Sequence, residues 1–469
     1  MKKILLINTS FPTDFETFYH LSPPLGLLTI SAALKKASYE VVLIDPQFEK
    51  NYKKKIKAII NGGILFTGMS VFMGPNLYNA IEISKYIKAF CPDSPIVWGG
   101  PLATSSPDFC LNLTPVDYIV MGMGEYTVIE LADCMSQGKY PKSIPHLSYR
   151  DGVENCIGKT YFFDGDLDQF EYPDLSLWDY GIKKLGRIPI LSSRGCPRNC
   201  AFCYNNTFTG RKKWYSRTSK NVLDEMISWK DLFGLNSFYF IDDNFLVNKK
   251  RAVEILKKTL ENNLKVSQVL GHIQDFTPPI LELLKTKMIS HVGFSIESAS
   301  MKIQKILNKP INLDKVIEFV EFATNLKIEK ITSNFMFGLP SETDQDIADN
   351  IAMALKIRNI NPEVRTVPMI YTPQPKDDIL PQFPEWKNAI QFSVDNLSKV
   401  DFSPNRSKYI SLELRPWLQK TDIEFLVNLT QAWFYHFDYY VRDLQHIDIN
   451  EIYGKDKRIK NLFRNVPYP

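Results

Sequence analysis

No run in this sequence approaches the roughly 18 consecutive apolar residues that a membrane-spanning helix needs. The opening MKKILLINTSFP is positively charged at its start but holds only Ile4, Leu5, Leu6 and Ile7 before Asn8. That is too short for a signal-peptide core and reads as a buried first strand. Charge of one sign is also missing: the net charge is +4, spread along the chain, and no polybasic tract marks a nucleic-acid binder. Cysteines number seven, an odd count without a pairing pattern, as expected of a reducing cytoplasm and of thiols used for chemistry. The 469 residues exceed one ordinary core and call for two or three domains.

Over residues 1–140, short β-rich runs alternate with helical ones. KKILLIN, YEVVLID, GILFTGMSV, SPIVWGG and VDYIVMG read as strands. LGLLTISAALKKA, YKKKIKAII, NLYNAIEISKYIKAF and EYTVIELADCM read as the helices between and after them. The alternation predicts a doubly wound parallel-sheet α/β domain, Rossmann-like, with helices on both faces. Ligands of such folds sit beyond the carboxyl ends of the strands. Those ends carry NTSFP, DPQF, GMSVFMG, GGPLATSSP and GMGEYT, rich in Gly and Ser and without the Lys of a phosphate-binding P-loop. Ordinary turn chemistry explains any one of these loops; five on one edge point to a large ligand that backbone approaches closely.

Residues 141–185 read as a linker, with recurring Pro and Asp and weak periodicity. From 186 to 375 a second alternation supplies six strands: IPILSS, SFYFIDD, VSQVLGHI, HVGFSIES, KITSNFMFGLP and VRTVPMIYTP. Helical stretches separate them, which suits a partial parallel barrel with its chemistry at the carboxyl ends. Residues 376–469 form a mainly helical, aromatic-rich region, helix-like from about Thr421. Its helices are expected across the barrel mouth, their aromatics either buried or lining substrate. Basic residues there are too few for a membrane-lying face.

The stretch SSRGCPRNCAFCYNNT places Cys196, Cys200 and Cys203 just after the first barrel strand. Thiolates suit soft metals. Structural zinc would want a fourth Cys or a His at short spacing; the nearest candidates are Cys156, in the linker, and His272. A disulfide would leave one thiol over, and unligated core cysteines remain a third reading. A cubane iron–sulfur cluster held through three irons would leave its fourth iron open to a substrate or co-substrate.

GCPRNCAFC resembles the C-x3-C-x-aromatic-C signature of radical SAM enzymes. The resemblance implies a [4Fe–4S] cluster on Cys196, Cys200 and Cys203, with S-adenosylmethionine (SAM) on the open iron. It puts Phe202 beside the adenine, with Tyr204 a further neighbour. FYFIDDNF resembles the second-strand end of the branch with an N-terminal cobalamin domain. There Asp242 and Asp243 would meet the methionine amino group or substrate, or else cap the next helix, although Asn248 lies closer to its start. In VGFSIESAS, Ser295 and Glu297 would face the nucleoside, unless Glu297 is an ion-pair partner. In FMFGLPSET, Gly338 would allow a close turn near the adenine, while Glu342 reads as structural, as does Arg217.

The first 140 residues resemble the cobalamin-binding domain of that branch. This implies contacts from Ser10, Leu25, Gly26, Ser70, Gly99, Gly100, Gly122, Gly124 and Glu125. Two departures stand out. The first loop lacks the D-x-H-x-x-G pattern that supplies a histidine to cobalt, and Leu102 stands where the family often has His. His20 lies at the wrong distance for that role and reads as a loop histidine.

The resemblance implies a 5′-deoxyadenosyl radical and methylation of an unactivated carbon of a small-molecule or peptide substrate. Alternatives are a cobalamin-dependent cyclase or ring-rearranging enzyme without methyl transfer, and a non-catalytic cobalamin or iron–sulfur binding protein. A methylthiotransferase would carry three more ligating cysteines at the front, whereas Cys91, Cys110 and Cys134 look structural. The resemblance also implies an electron donor such as flavodoxin or ferredoxin.

Overall fold

Strand β1 (Lys3–Ile7) is almost continuously apolar and buried, as a strand covered on both faces must be. The computed structural model in which it lies describes residues 2–12, 21–438 and 447–467, apart from 114, 162, 164, 287, 388, 391 and 401–411. The chain divides into two bodies. One comprises Met1–Leu185, Tyr204–Tyr215 and Phe392–Val400; the other comprises Gly186–Cys203, Ser216–Gln391 and Asp401–Pro469.

In the first body, β1 is followed by α1 (Leu25–Lys36), β2 (Glu40–Ile44), α2 (Tyr52–Asn61), β3 (Thr67–Ser70) and α3 (Pro75–Phe90). Next come β4 (Ile96–Gly99), α4 (Pro101–Ser105), α5 (Pro107–Leu113), β5 (Tyr118–Val120) and α6 (Glu125–Ser136). Pro75 and Pro101 open their helices, where a preset φ and a missing N–H cost nothing. The sheet order is β2-β1-β3-β4-β5, all parallel, so the topological switch point lies between β1 and β3. Leu6, Phe66, Val97 and Val120 pack with Leu27 and Leu34 of α1 and Val128 and Leu131 of α6.

The stretch expected as a linker is partly sheet. Strands β6 (Leu147–Asp151) and β7 (Glu154–Cys156) extend the edge at β5 as an antiparallel hairpin. Asp151-Gly152 supplies the turn, Gly152 at φ +65°. Trp178, just before α7 (Asp179–Leu185), returns to the sheet and donates its indole N–H to Asp45 Oδ2 at 2.7 Å. Weak periodicity hid the hairpin, because two strands this short show little alternation.

The second body opens with β8 (Ile188–Ile190) and β9 (Ser193–Gly195), while β10 is Trp214–Ser216. Then follow α8 (Ser219–Phe233), β11 (Ser237–Phe240), α9 (Lys249–Glu261), β12 (Lys265–Leu270) and α10 (Pro278–Leu284). Strand β13 (His291–Glu297), α11 (Met301–Ile306), α12 (Leu313–Asn325), β14 (Lys330–Phe337), α13 (Asp344–Ile360) and β15 (Arg365–Ile370) complete the partial barrel. Its sheet runs β15-β14-β13-β12-β11-β8, parallel throughout. Helix starts follow local chemistry: Thr218, Asn248, Ser300 and Asn312 cap α8, α9, α11 and α12 with their side chains. Thr343 and Asp346 form a capping box on α13.

The remaining helices are α14 (Pro384–Lys387), α15 (Val394–Ser398), α16 (Lys420–Phe437), α17 (Ile449–Lys455) and α18 (Lys457–Phe463). Helix α16 does not cross the barrel mouth. It lies along the last strand, where Trp433 packs on Phe335 and Phe337 and donates to Thr366 O at 3.1 Å. An edge strand leaves backbone carbonyls and an apolar outer face to cover, and α16 covers both. Helix α15 belongs to the first body, where it packs against α3. Among the described residues no helix is long and apolar enough to cross a membrane.

Candidate active site

Loops after β8, β11, β12, β13 and β14 converge at the carboxyl ends of the barrel strands. The loop after β8 carries Cys196, Cys200 and Cys203, all unpaired by disulfide and all partly exposed. Three acids from neighbouring strand ends hold this loop. Asp242, fully buried, accepts from Ser192 N at 2.8 Å, from Ser192 Oγ at 2.6 Å and from Ser193 Oγ. Burial raises its pKa, and the serine donors and Arg251 oppose that. Asp243 accepts from Gly195 N at 2.9 Å. Asp275, just past β12, accepts from Arg198 Nη2 and Asn244 Nδ2, both at 2.9 Å, and from Lys249 Nζ at 2.8 Å. Burial would raise the Asp275 carboxyl, but Lys249, Asn244 and Arg198 outweigh it and keep the group below its usual range. The far side of the loop is tied to the end of α11, where Ala201 N donates to Leu307 O at 2.8 Å and Asn308 Nδ2 donates to Asn199 O at 2.7 Å.

The acid pair after β11 therefore does not cap α9. Asn248 does that, and both carboxylates are spent on the cysteine loop. Arg217 is structural as expected: it pairs with buried Glu225, and its Nη1 donates to Leu191 O at 3.2 Å.

Burial pushes the Cys196 and Cys200 thiols up; Arg198 opposes this at Cys196, and Lys309 followed by Arg198 opposes it at Cys200. A bound metal would displace those protons. Among the described residues no three His, Cys, Asp or Glu side chains converge as they would around a single ion. The donor set is three soft thiols with flanking cations, which fits an anionic thiolate cluster better than a closed four-ligand zinc site.

Glu297 ends β13 at a register shift in the pairing with β14 and adopts φ +63°, a conformation that L-residues rarely hold. Its Oε1 pairs with Lys309 Nζ at 2.8 Å, both side chains under 10% exposed. The ion pair expected as the alternative role of Glu297 is therefore present. Ser295 Oγ accepts weakly from Asn334 Nδ2 at 3.4 Å. Phe202 packs against the buried cluster that includes Met336, Leu339 and Tyr371, and Lys309 Nζ stands 5.9 Å from its ring centre. Gly338 turns at φ +76°; its N–H donates to Glu342 Oε2 at 2.7 Å and its carbonyl accepts from Trp417 Nε1 at 3.1 Å. Tyr204 belongs to the first body, its ring edge-on to Phe72 at 5.9 Å, and the structure does not group it with Phe202.

Lys309, Asp275, Arg198 and Asn244 are not among the residues the sequence singles out, and His272 enters there only as a distant zinc candidate. Arg198 and Asn244 lie inside the motifs SSRGCPRNCAFCYNNT and FYFIDDNF, whereas Lys309 and Asp275 carry no local signal. His272 is nearly buried; burial, then Arg198 and Lys309, hold its ring neutral, its pKa lowered to about 3.

In the first body the expected cobalamin contacts fall at the carboxyl edge of the sheet. Ser10 follows β1, with its N–H on Asn8 Oδ1 at 3.0 Å and its carbonyl taking Gln47 Nε2 at 2.9 Å. Leu25 opens α1 and is buried, whereas Gly26 is exposed, with a Cβ there 3.8 Å from Ser70 Oγ. A Cβ on Gly99 would meet nothing closer than Val120 O at 3.7 Å. This open glycine edge fits the close approach of a broad, flat group. Gly100 and Gly122 have a further reason to be glycine. A Cβ there would strike Ser70 Oγ at 2.7 Å and Tyr161 O at 2.2 Å respectively, each at a positive φ, whereas one on Gly124 would only crowd the end of the Ile30 side chain at 3.1 Å. Glu125 is buried at the start of α6, and Leu102 is buried in α4. His20 lies outside the described residues.

Comparison with known proteins agrees with this layout. The model of the radical SAM superfamily matches residues 190–354, and that of the B12 binding domain matches residues 14–132. An uncharacterized methyltransferase of Pyrococcus horikoshii is 29% identical over 346 residues, covering 71% of this chain and 73% of its own. The cytidylyl-2-hydroxyethylphosphonate methyltransferase of Streptomyces wedmorensis is 23% identical, over 72% of this chain and 73% of its own. The structure of OxsB, a cobalamin-dependent SAM radical enzyme with aqua-cobalamin and SAM bound, superposes with a TM-score of 0.73. It covers 99% of this chain and 72% of OxsB at 16% identity, a likeness of fold. The chain belongs to the radical SAM enzymes that carry a B12-binding domain, with a [4Fe–4S] cluster, SAM and cobalamin as its cofactor set.

Proposed function

We propose that this enzyme transfers a methyl group to an unactivated carbon, or to phosphorus, of a small molecule or peptide. One observation carries the reading. A thiol trio on a loop anchored by Asp242, Asp243 and Asp275 stands at the carboxyl ends of a barrel, in a chain whose other body is a B12-binding sheet. The names of the relatives, two of them methyltransferases, support methyl transfer as the outcome. When bound, the cluster with SAM supplies a radical able to take hydrogen from a strong C–H bond, and cobalamin supplies a transferable methyl group.

The work of the chain is binding, orientation and exclusion of water. Cys196, Cys200 and Cys203 hold the cluster. Lys309 and Glu297 present opposite charges suited to the carboxylate and ammonium ends of the methionine moiety, and Ser295 and the Gly338 turn face the nucleoside. Phe202 supplies an apolar wall for the adenine. Ser10, Leu25, Gly26, Ser70, Gly99 and Glu125 line the cobalamin side. An electron donor of the flavodoxin or ferredoxin type reduces the cluster, and the setting is the cytoplasm.

The test is anaerobic reconstitution with iron, sulfide and hydroxocobalamin, followed by iron counting, a visible spectrum and incubation with candidate substrates. The expected result is a product heavier by one methyl group, with S-adenosylhomocysteine and 5′-deoxyadenosine. Deoxyadenosine with a rearranged product of unchanged carbon count would refute methyl transfer. A cubane that survives replacement of any one of the three cysteines by alanine would refute the site.

A further inference from the structure

On that reading, the cluster must be reduced from outside the chain, and the electron needs a point of entry. We propose that Arg198, Lys249 and Lys315 form a basic collar that docks an acidic one-electron carrier protein. The three cations come from three elements, the cysteine loop, the first residue of α9 and the first turn of α12. Arg198 Nη2 and Lys249 Nζ stand 2.9 and 2.8 Å from the two oxygens of Asp275, and Lys315 Nζ donates to Gln274 O at 3.2 Å. Three positive charges thus gather around two adjacent residues. The acid that two of them share is 5% exposed, while the Arg198 and Lys249 side chains keep 30% and 42% of their exposure. Exposed Asp314 and Lys250, next along the same two helices, offset each other.

Lysines on a surface are ordinarily just solvated. Position distinguishes these. Arg198 is two residues from both Cys196 and Cys200, so its Cα lies within ~7 Å of theirs. An electron delivered here arrives beside the thiols. Around the loop, Arg198, Lys249, Lys250 and Lys315 outnumber the exposed acids Asp243 and Asp314, and an excess of positive charge steers encounter and raises association rates by about 10- to 1000-fold for an acidic surface. The step itself is simple: one electron leaves the carrier, which is oxidised, and enters the cluster, which is reduced; no bond or proton moves.

The experiment uses the reconstituted full-length holoenzyme and reduced flavodoxin as the probe. Stopped-flow loss of cluster absorbance is followed at low and high sodium chloride, with photoreduced deazaflavin as an uncharged-route control. The wild-type rate with flavodoxin should fall steeply as salt rises. Lys315→Glu should slow flavodoxin reduction at least ten-fold at low salt and Lys315→Gln by less, with iron content and deazaflavin reduction unchanged. A Lys315→Glu enzyme reduced by flavodoxin at the wild-type rate, or a wild-type rate indifferent to salt, overturns the docking surface. Wild-type protein that binds no cluster under reconstitution overturns instead the functional reading beneath it.

Discussion

Lys309→Met is the sharpest probe of the mouth. In the native chain Lys309 Nζ lies 2.8 Å from Glu297 Oε1, and the two side chains are 9% and 8% exposed. Removing the cation leaves a carboxylate in a poorly solvated wall, and breaking one partner of a buried pair costs about 3–5 kcal/mol. Replacing both, as Lys309→Met with Glu297→Gln, removes the stranded charge and should recover about half of that or more. Urea unfolding of the cluster-free full chain, read at the transition of the barrel body, measures both. SAM affinity adds a second reading that folding alone does not predict. Lys309→Met should weaken SAM binding at least ten-fold, about 1.4 kcal/mol, in protein that carries its cluster. Glu297 also holds φ +63°, a conformation in which a glycine would sit without strain and which in other residues clusters at ligand sites. A single variant within ~0.5 kcal/mol of wild type, binding SAM normally, would refute the reasoning.

Two further outcomes follow from the same geometry. The Glu342 carboxyl is buried under the Gly338 turn, and burial raises its pKa from 4.5 to about 8 despite the Gly338 N–H. From about pH 4.5 to 8 the folded chain keeps a proton that the unfolded chain has released, so stability should fall as pH rises through that window and level off above it. The drop is on the order of a few kcal/mol; Glu342→Gln, always neutral, should abolish it, and parallel pH profiles for the two proteins would contradict the assignment. Gly122→Ala places a methyl group 2.2 Å from Tyr161 O at a backbone φ of +76°. It should destabilise the first body by roughly 2–5 kcal/mol, seen in its denaturant midpoint; an unchanged midpoint would mean that Tyr161 does not lie on this edge.

Much of the architecture was legible before the structure. The five parallel strands of the first body, the six barrel strands and the longer helices between them announce themselves through apolar periodicity, which is a local property, whereas the short α4 and α5 fall in and after GGPLATSSP, expected as a loop. The cysteine spacing is local too. What escaped notice was short or long-range. The hairpin β6–β7 is too brief to alternate visibly. The place of α16 depends on which outer face remained uncovered, and no window of sequence records that. Asp242 and Asp243 were legible as important, but their partners, Ser192, Ser193 and Gly195, lie about fifty residues upstream. Gly100 and Gly122, expected among the cofactor contacts, are also needed where chain meets chain, and Gly122 is the plainer, since Tyr161 arrives from the stretch expected to be a linker.

The sequence alone determined the two α/β alternations, the thiol trio and the glycine-rich strand ends, because each is written in residues that are neighbours along the chain. The tertiary structure alone decided which charges meet: Asp275 with Arg198, Lys309 with Glu297, and Lys315 beside Gln274. A charge has many possible partners in sequence, and only folding excludes water from some pairs and leaves the others at the surface.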